Sequence, residues 1–138
     1  MSKKHSVLII DDAPMMLRLL NNILKDEYEI MIAKCGDQGV EFAKKHMPDI
    51  ILLDLMMPQI SGFDVLASLK NDEATMSIPF LLITGSDSRE DEERGYDLGA
   101  VDYIKKPFVD GIVKHRIKFN IEHAAMSHIL RENGLSIT

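Results

Sequence analysis

Acidic, hydroxyl and basic residues follow the apolar runs of this sequence at four separate points. Asp11 and Asp12 directly follow "VLII", and Asp54 closes "IILLD". Thr84 closes "FLLIT", and two lysines, Lys105 and Lys106, directly follow "VDYI". Three carboxylates, a hydroxyl and an ammonium group gathered in one place could hold a divalent cation with an anionic group beside it. These groups can act together only if the fold brings four distant segments to one place.

Each of these residues also has an ordinary structural explanation. Asp12 alone could cap the helix that follows it. Thr84 alone could be a strand-end hydroxyl, and Lys106 alone could be a solvated surface charge. The combination favours a functional site, because like charges held close together are costly unless a cation lies among them. Hard oxygen ligands are those that Mg²⁺ prefers, so the acidic residues predict a magnesium site.

Strands and helices alternate along the chain. We expect strands at 7–10, 29–33, 49–55, 79–85 and 100–104, and helices at 14–25, 36–46, 62–71, 88–99 and about 110–131. Continuous apolar runs such as "VLII" are typical of parallel strands buried on both faces. The pattern predicts one α/β domain with a doubly wound, five-stranded parallel sheet of order 2-1-3-4-5 and helices on both faces. In such a sheet the functional crevice lies at the carboxyl ends of the strands, where the residues above would meet.

The composition limits the function classes. The chain has 138 residues, 46% hydrophobic and 28% charged, which suits one globular domain. Its net charge of −6 argues against nucleic acid as a direct partner. No apolar run approaches the length of a membrane span. Cys35 is the single cysteine, so an intrachain disulfide is excluded and a reducing, cytoplasmic location is expected.

Four motifs resemble the signatures of the receiver domain of bacterial two-component response regulators. They are "IIDDAP", "LLDLMMPQISGFDVL", "LITGSD" and "GAVDYIKKPF", and they occur in the family's order. The resemblance implies the flavodoxin-like receiver fold. It also implies a signalling domain that is not itself an enzyme and that takes a phosphoryl group, with Mg²⁺, from a sensor histidine kinase or a phosphotransfer protein.

The resemblance further implies which residues form the phosphorylation and metal site. Asp54 matches the residue that is phosphorylated. Asp11 and Asp12 match the acidic pair that holds Mg²⁺ together with Asp54 and the backbone carbonyl of Met56. Met56 and Ser86 occupy the positions that tune dephosphorylation in the family, so no phosphate lifetime carries over.

A second group of residues matches the family's switch. Thr84 matches the switch hydroxyl and Tyr103 the aromatic switch position. Lys106, which directly precedes the proline, matches the family's phosphoryl-binding lysine. The Lys106–Pro107 peptide bond matches a cis peptide of the family, which proline makes accessible.

The final predicted helix is longer than a receiver sheet needs. We expect residues 1–120 to form the receiver, with Ile117, Ile121, Ala124 and Ala125 facing its core. Residues 121–138 would extend the last helix as a dimerisation helix or as a linker to an output domain outside this chain, for which a nucleotide-cyclase type is the expectation. The other interpretation is a helix that folds back on its own domain or frays. We expect any homodimer to use the fourth helix, fifth strand and fifth helix.

Two other functions fit the same topology. A Mg²⁺-dependent phosphohydrolase with an aspartyl nucleophile would need an acid two residues after Asp54, where Met56 stands, and an insertion that encloses its substrate. A flavin-binding module would need a phosphate-binding loop after the first strand, where "DDAP" stands instead. The run "REDEER" is expected to be a solvated helix face, with a partner contact as the other interpretation.

Overall fold

A computed structural model describes residues 4–55, 57, 61–85 and 89–134. It contains five strands that alternate with five helices. The elements are β1 (Ser6–Ile10), α1 (Pro14–Leu24), β2 (Glu29–Ala33), α2 (Gly36–His46), β3 (Ile50–Asp54), α3 (Gly62–Lys70), β4 (Phe80–Thr84), α4 (Arg89–Asp97), β5 (Asp102–Lys105) and α5 (Asp110–Glu132). The predicted alternation is confirmed, and the largest shifts are of two residues: β5 begins two residues later than predicted, and α4 ends two residues earlier.

The five strands form one parallel sheet in the order β2-β1-β3-β4-β5, as predicted. In its register Asp54 lies opposite Ile83, and Thr84 lies opposite Lys105. Asp11 comes one residue after Ile10, which pairs with Leu53 on β3. The register therefore brings the polar residues at the strand ends to the same edge of the sheet.

The central strands are buried on both faces, which explains their continuous apolar sequences. One set of alternate residues, including Leu8, Ile51 and Leu82, packs in a cluster with α2 and α3. The other set, including Ile9 and Leu52, packs in a second cluster with side chains of α1 and α5. At about 25 cal/mol per Å² of buried apolar surface, these two clusters are the main source of stability.

The α5 helix is tied to β5 by a polar network at the edge of the core. Arg116 Nη1 donates to Asp102 Oδ1 at 2.6 Å, and Asn120 Nδ2 donates to Asp102 Oδ2 at 3.0 Å. The same Asn120 amide donates to the carbonyl oxygen of Arg116 at 2.8 Å. The network gives the amide nitrogen of Asn120, a residue only 5% exposed, two acceptors.

The predicted core-facing stripe of α5 is correct for two of its four members. Ile117 and Ile121 are buried, Ala124 is half-buried and Ala125 is exposed. At 3.6 residues per turn, Ala125 lies about 80° around the helix from Ile117, which turns its side chain out of the core. Val113 and Asn120 complete the buried face instead.

No helix in the described part of the chain is both long enough and apolar enough to cross a lipid bilayer.

Glycine lets α2 pack closely on the sheet. A Cβ atom built at Gly39 would lie 2.5 Å from Ile10 Cδ1 and 2.9 Å from Ile10 Cγ1, so any side chain there would displace the buried Ile10 side chain or move α2 away from β1. Gly111, in the first turn of α5, offers a contrast, because a Cβ built there has no heavy atom within 4 Å.

We predict opposite effects of alanine at these two helical glycines. Gly39→Ala should lower the free energy of unfolding by about 1–3 kcal/mol through overpacking. Gly111→Ala should leave it unchanged or raise it by up to about 1 kcal/mol, since alanine favours the helix. Urea denaturation of both variants measures the difference. A Gly39→Ala protein as stable as Gly111→Ala would contradict the close packing of α2 on β1.

Candidate functional site

Three carboxylates meet at the carboxyl edge of the sheet. Asp11 and Asp12 directly follow β1, and Asp54 is the last residue of the neighbouring β3. One carboxylate oxygen of each lies within 4.8 Å of the others. Asp11 is fully buried, Asp54 is 3% exposed and Asp12 is exposed, so the cluster opens to solvent on the Asp12 side.

The two side-chain oxygens of Asp11 differ in their hydrogen bonding. Its Oδ1 accepts a hydrogen bond from the backbone N–H of Ala13 at 3.0 Å. Its Oδ2 is buried and has no hydrogen-bond partner among the described residues. A buried acceptor without a partner is costly, and a cation among the three carboxylates would satisfy it. The donor set therefore fits Mg²⁺, which takes carboxylate oxygens and completes its octahedron with water.

The structure excludes the other explanation of Asp12, namely that its side chain caps α1. The residue at the N-cap of α1 is Ala13, and the helix has no side-chain capping bond. Pro14 follows in the first helical turn, where its missing N–H is not needed. Asp12 does not cap the helix, and its carboxylate remains available to a ligand.

Thr84 and Lys106 lie on the β4 and β5 side of the same edge. Thr84 ends β4 and is fully buried, and the backbone N–H of Lys106 donates to its carbonyl oxygen at 2.9 Å. The Lys106 side chain passes Gly85, with its Cδ 3.9 Å from a Cβ built there. The Lys106–Pro107 peptide bond is cis. A positive charge and a hydroxyl thus lie on the side of the crevice opposite the acidic pair.

Gly62 is a site residue that the motifs did not single out. Its N–H donates to the carbonyl oxygen of Leu55 at 3.3 Å. A Cβ at this position would overlap the carbonyl oxygen of Asp54 and lie 2.8 Å from Leu55 Cα, both backbone atoms that cannot move aside. Only glycine allows α3 to begin this close to Asp54. The signal was present in "SGF", a helix cap followed by glycine.

Tyr103 is buried on the α3 side of the sheet, 7% exposed. Its hydroxyl has no hydrogen-bond partner among the described residues. Burial raises the pKa of this hydroxyl above its usual value, and the negative charges of Asp91 and Glu92 raise it further. The nearby Thr84 hydroxyl opposes the shift in part, although the two groups do not reach hydrogen-bond geometry. The Tyr103 ring is therefore in an inward position, because it is buried, and its hydroxyl is neutral, because its pKa is raised.

Two predicted residues lie outside the described part of the chain. These are Met56, the expected carbonyl ligand of Mg²⁺, and Ser86.

A separate hollow of about 590 Å³ lies at the opposite, amino-terminal edge of the sheet, lined by residues such as His5 and Asp49. It is remote from the acidic cluster.

A doubly wound sheet with an acidic crevice at its carboxyl edge, flanked by a hydroxyl and a lysine, is the arrangement expected of a receiver-type signalling domain. Comparison with known families agrees, because residues 7–118 match the response regulator receiver domain family. The chain belongs to this family, and the resemblance seen in its motifs is confirmed. Receivers are regulatory domains of two-component systems and work with histidine kinases or phosphotransfer proteins.

Individual relatives extend the comparison. The chain is 41% identical over 113 residues to the response regulator PleD of Caulobacter vibrioides, covering 81% of this chain and 25% of PleD. It is 34% identical over 125 residues to a probable cyclic di-GMP phosphodiesterase of Vibrio cholerae, covering 91% of this chain and 28% of that protein. The chain thus spans about a quarter of the length of either relative. Among solved structures, a putative response regulator from Chloroflexus aurantiacus superposes with a TM-score of 0.83 at 27% identity, covering 87% of this chain and 99% of that one.

Proposed function

We propose that this receiver accepts a phosphoryl group on Asp54 from a histidine kinase or phosphotransfer protein, with Mg²⁺ held by Asp11, Asp12 and Asp54. The observation that carries the proposal is the acidic cluster itself, in which one oxygen of each of three carboxylates lies within 4.8 Å of the others. The buried Asp11 Oδ2 has no hydrogen-bond partner in the part of the chain that the structure describes. The backbone carbonyl of Met56 is the fourth protein ligand in this proposal. Asp12 ligates directly, and Asp11 does so through a water molecule.

The proposed step is a transfer between two nucleophiles. An oxygen of the Asp54 carboxylate forms a bond to phosphorus as the phosphorus–nitrogen bond of a phosphohistidine breaks, and the leaving imidazole takes up a proton. An acyl phosphate results. When bound, Mg²⁺ supplies the positive charge that screens the approaching anions and orients their oxygens. Asp11 and Asp12 keep that charge beside Asp54.

The residues across the crevice hold the product in this proposal. Lys106 pairs with one phosphoryl oxygen, and Thr84 donates a hydrogen bond to another. As Thr84 moves toward the phosphoryl group, the inward position of Tyr103 becomes the favoured one. Phosphorylation thereby shifts an equilibrium between two existing arrangements of α4, β5 and α5, in proportion to the contacts that the phosphoryl group makes in each.

The alternative function, a phosphohydrolase, would need a residue for turnover that this sequence does not have at the required position. Release of phosphate from the acyl phosphate would need a general base two residues beyond Asp54, and methionine occupies that position. We therefore propose that the chain's own chemistry is limited to taking a phosphoryl group and losing it to water. A cytoplasmic location, where kinases hold their phosphohistidines, belongs to this proposal.

The region beyond the receiver is also part of the proposal. We assign residues 1–120 to the receiver and 121–138 to an extension that leads toward an output domain. Met126 and Ile129, in the second half of α5, are 52% and 51% exposed, which leaves an apolar surface for a second copy. The name of the Vibrio cholerae relative favours an output concerned with cyclic dinucleotides, in keeping with the predicted nucleotide-cyclase type.

Asp54→Asn should abolish phosphorylation, because the amide cannot act as the nucleophile. Wild type incubated with acetyl phosphate and Mg²⁺ should gain the mass of one phosphoryl group, and a chelator should prevent the gain. The matched control is Asp26→Asn, an exposed aspartate distant from the site, which should behave as wild type. Intact-mass analysis measures incorporation. Phosphate retained by Asp54→Asn, or mapped to Asp11 or Asp12, would reject the assignment, and repeated phosphate release would favour the phosphohydrolase.

The extension is tested by changing its apolar residues. Replacement of both Ile129 and Leu130 by serine should weaken the dimer of the phosphorylated protein, since it removes apolar surface from the proposed contact. Met76→Ser, at an exposed methionine between α3 and β4, is the control and should not change association. Sedimentation at high micromolar concentration measures the state of each. A wild-type protein that stays monomeric when phosphorylated would exclude the dimer.

A further inference from the structure

The α4 helix has very little apolar packing to hold it in place. Gly95 is its only buried residue, whereas α3, of the same length, buries five. Seven of the nine residues of "REDEERGYD" are charged, and none of these seven is buried. The position of α4 must therefore depend on a few specific contacts made by its side chains.

The first contact joins α4 to the helix that begins beside the phosphoacceptor. The guanidinium carbon of Arg94 lies 4.2 Å from the centroid of the Phe63 ring, a cation–π arrangement. Phe63 is 7% exposed, so its ring is fixed in the core. It directly follows Gly62, whose backbone lies against the carbonyl oxygen of Asp54. Arg94 therefore binds α4 to a rigid element that contacts the site.

The next two residues of α4 join it to Tyr103. A Cβ built at Gly95 would overlap Leu82 Cδ1 and lie 3.9 Å from Tyr103 Cε2, so α4 rests directly on β4 and on that ring. The rings of Tyr96 and Tyr103 have centroids 6.1 Å apart. A single turn of α4 thus contacts Phe63 through Arg94 and the buried Tyr103 through Gly95 and Tyr96.

We propose that the stack of Arg94 on Phe63 is a latch that positions α4 over the inward Tyr103 and so sets how readily Asp54 is phosphorylated. The inference rests on the proposed function of Asp54 and adds a positioning residue to it. With the stack intact, the arrangement of α4 that covers Tyr103 is favoured before any phosphoryl group arrives. Without the stack, that arrangement of α4 is less populated, and phosphorylation must supply the free energy that populates it.

The latch requires a planar cation and an aromatic ring. Arginine stacks flat on an aromatic face, whereas lysine offers a compact, strongly hydrated charge. Arg94→Lys should therefore restore only part of the effect of the latch, and Phe63→Tyr should keep it because a ring remains. Phe63→Leu keeps an apolar side chain in the core and removes the ring. The set separates loss of the stack from loss of charge or of burial.

The first measurement is hydrogen exchange of the α4 amides in the unphosphorylated protein, read by mass spectrometry. Arg94→Gln and Phe63→Leu should each speed exchange across α4 by about two- to fivefold, the range that an exposed cation–π contact implies. The double variant should be no faster than either single variant, because both remove the same contact. The control Arg89→Gln makes the same charge change in the same helix and should leave exchange as in wild type. Amides of β1 and β3 should keep their protection in every variant, which shows that the fold is intact.

The second measurement is the rate of phosphorylation by acetyl phosphate. Arg94→Gln and Phe63→Leu should slow it by the same factor, and Arg89→Gln should not. Independent, additive effects of the two substitutions on exchange would overturn the latch, as would faster exchange with an unchanged phosphorylation rate. If wild type itself takes no phosphate, the proposed function fails, while the exchange measurement still decides whether Arg94 positions α4.

Discussion

Repulsion among three carboxylates at one edge of the sheet is the constraint on which the rest of this structure depends. The parallel order places β1 beside β3, so Asp11, Asp12 and Asp54 meet because the chain folds this way. Two like charges about 5 Å apart repel by several kcal/mol at an effective dielectric constant near 20. The apolar clusters on both faces of the sheet offset that cost, since they bury the central strands completely. A receiver of this kind uses its core to hold three carboxylates close together, an arrangement that a bound cation would stabilise.

Glycine residues allow the helices around the acidic cluster to pack closely on the sheet. Gly39 lets α2 approach β1, Gly62 lets α3 begin against the backbone of Asp54, and Gly95 lets α4 rest on Leu82 and Tyr103. Close packing of this kind transmits small shifts, because a dense interior deforms little. The helix with the least apolar packing, α4, is also the one that contacts Tyr103 through Gly95, so the element that can move most easily covers the proposed switch residue.

Most of this architecture could be predicted from the sequence, because apolar runs that lack alternation identify buried parallel strands, and each strand end carries its polar residue directly after the run. Motif resemblance then supplied roles that spacing alone left open, such as the choice between Lys105 and Lys106. The buried face of α5 was only partly predictable, since Asn120 is held in the core by Asp102, a partner 18 residues away. Gly62 and the stack of Arg94 on Phe63 were not foreseen, because each depends on a contact between helices or loops that no local pattern records.

The central claim is that the acidic cluster is a cation site, and thermal unfolding tests it most directly. Wild type and Asp54→Asn are each melted with a chelator and with millimolar Mg²⁺. Binding to the folded state alone stabilises it by about 2.7 kcal/mol at a hundredfold excess over the dissociation constant. Mg²⁺ should raise the unfolding midpoint of the wild type and raise that of Asp54→Asn much less. With the chelator, Asp54→Asn should be the more stable protein, because one of three like charges is gone. A wild-type midpoint unchanged by Mg²⁺, together with an Asp54→Asn protein that is no more stable than wild type in chelator, would contradict the account.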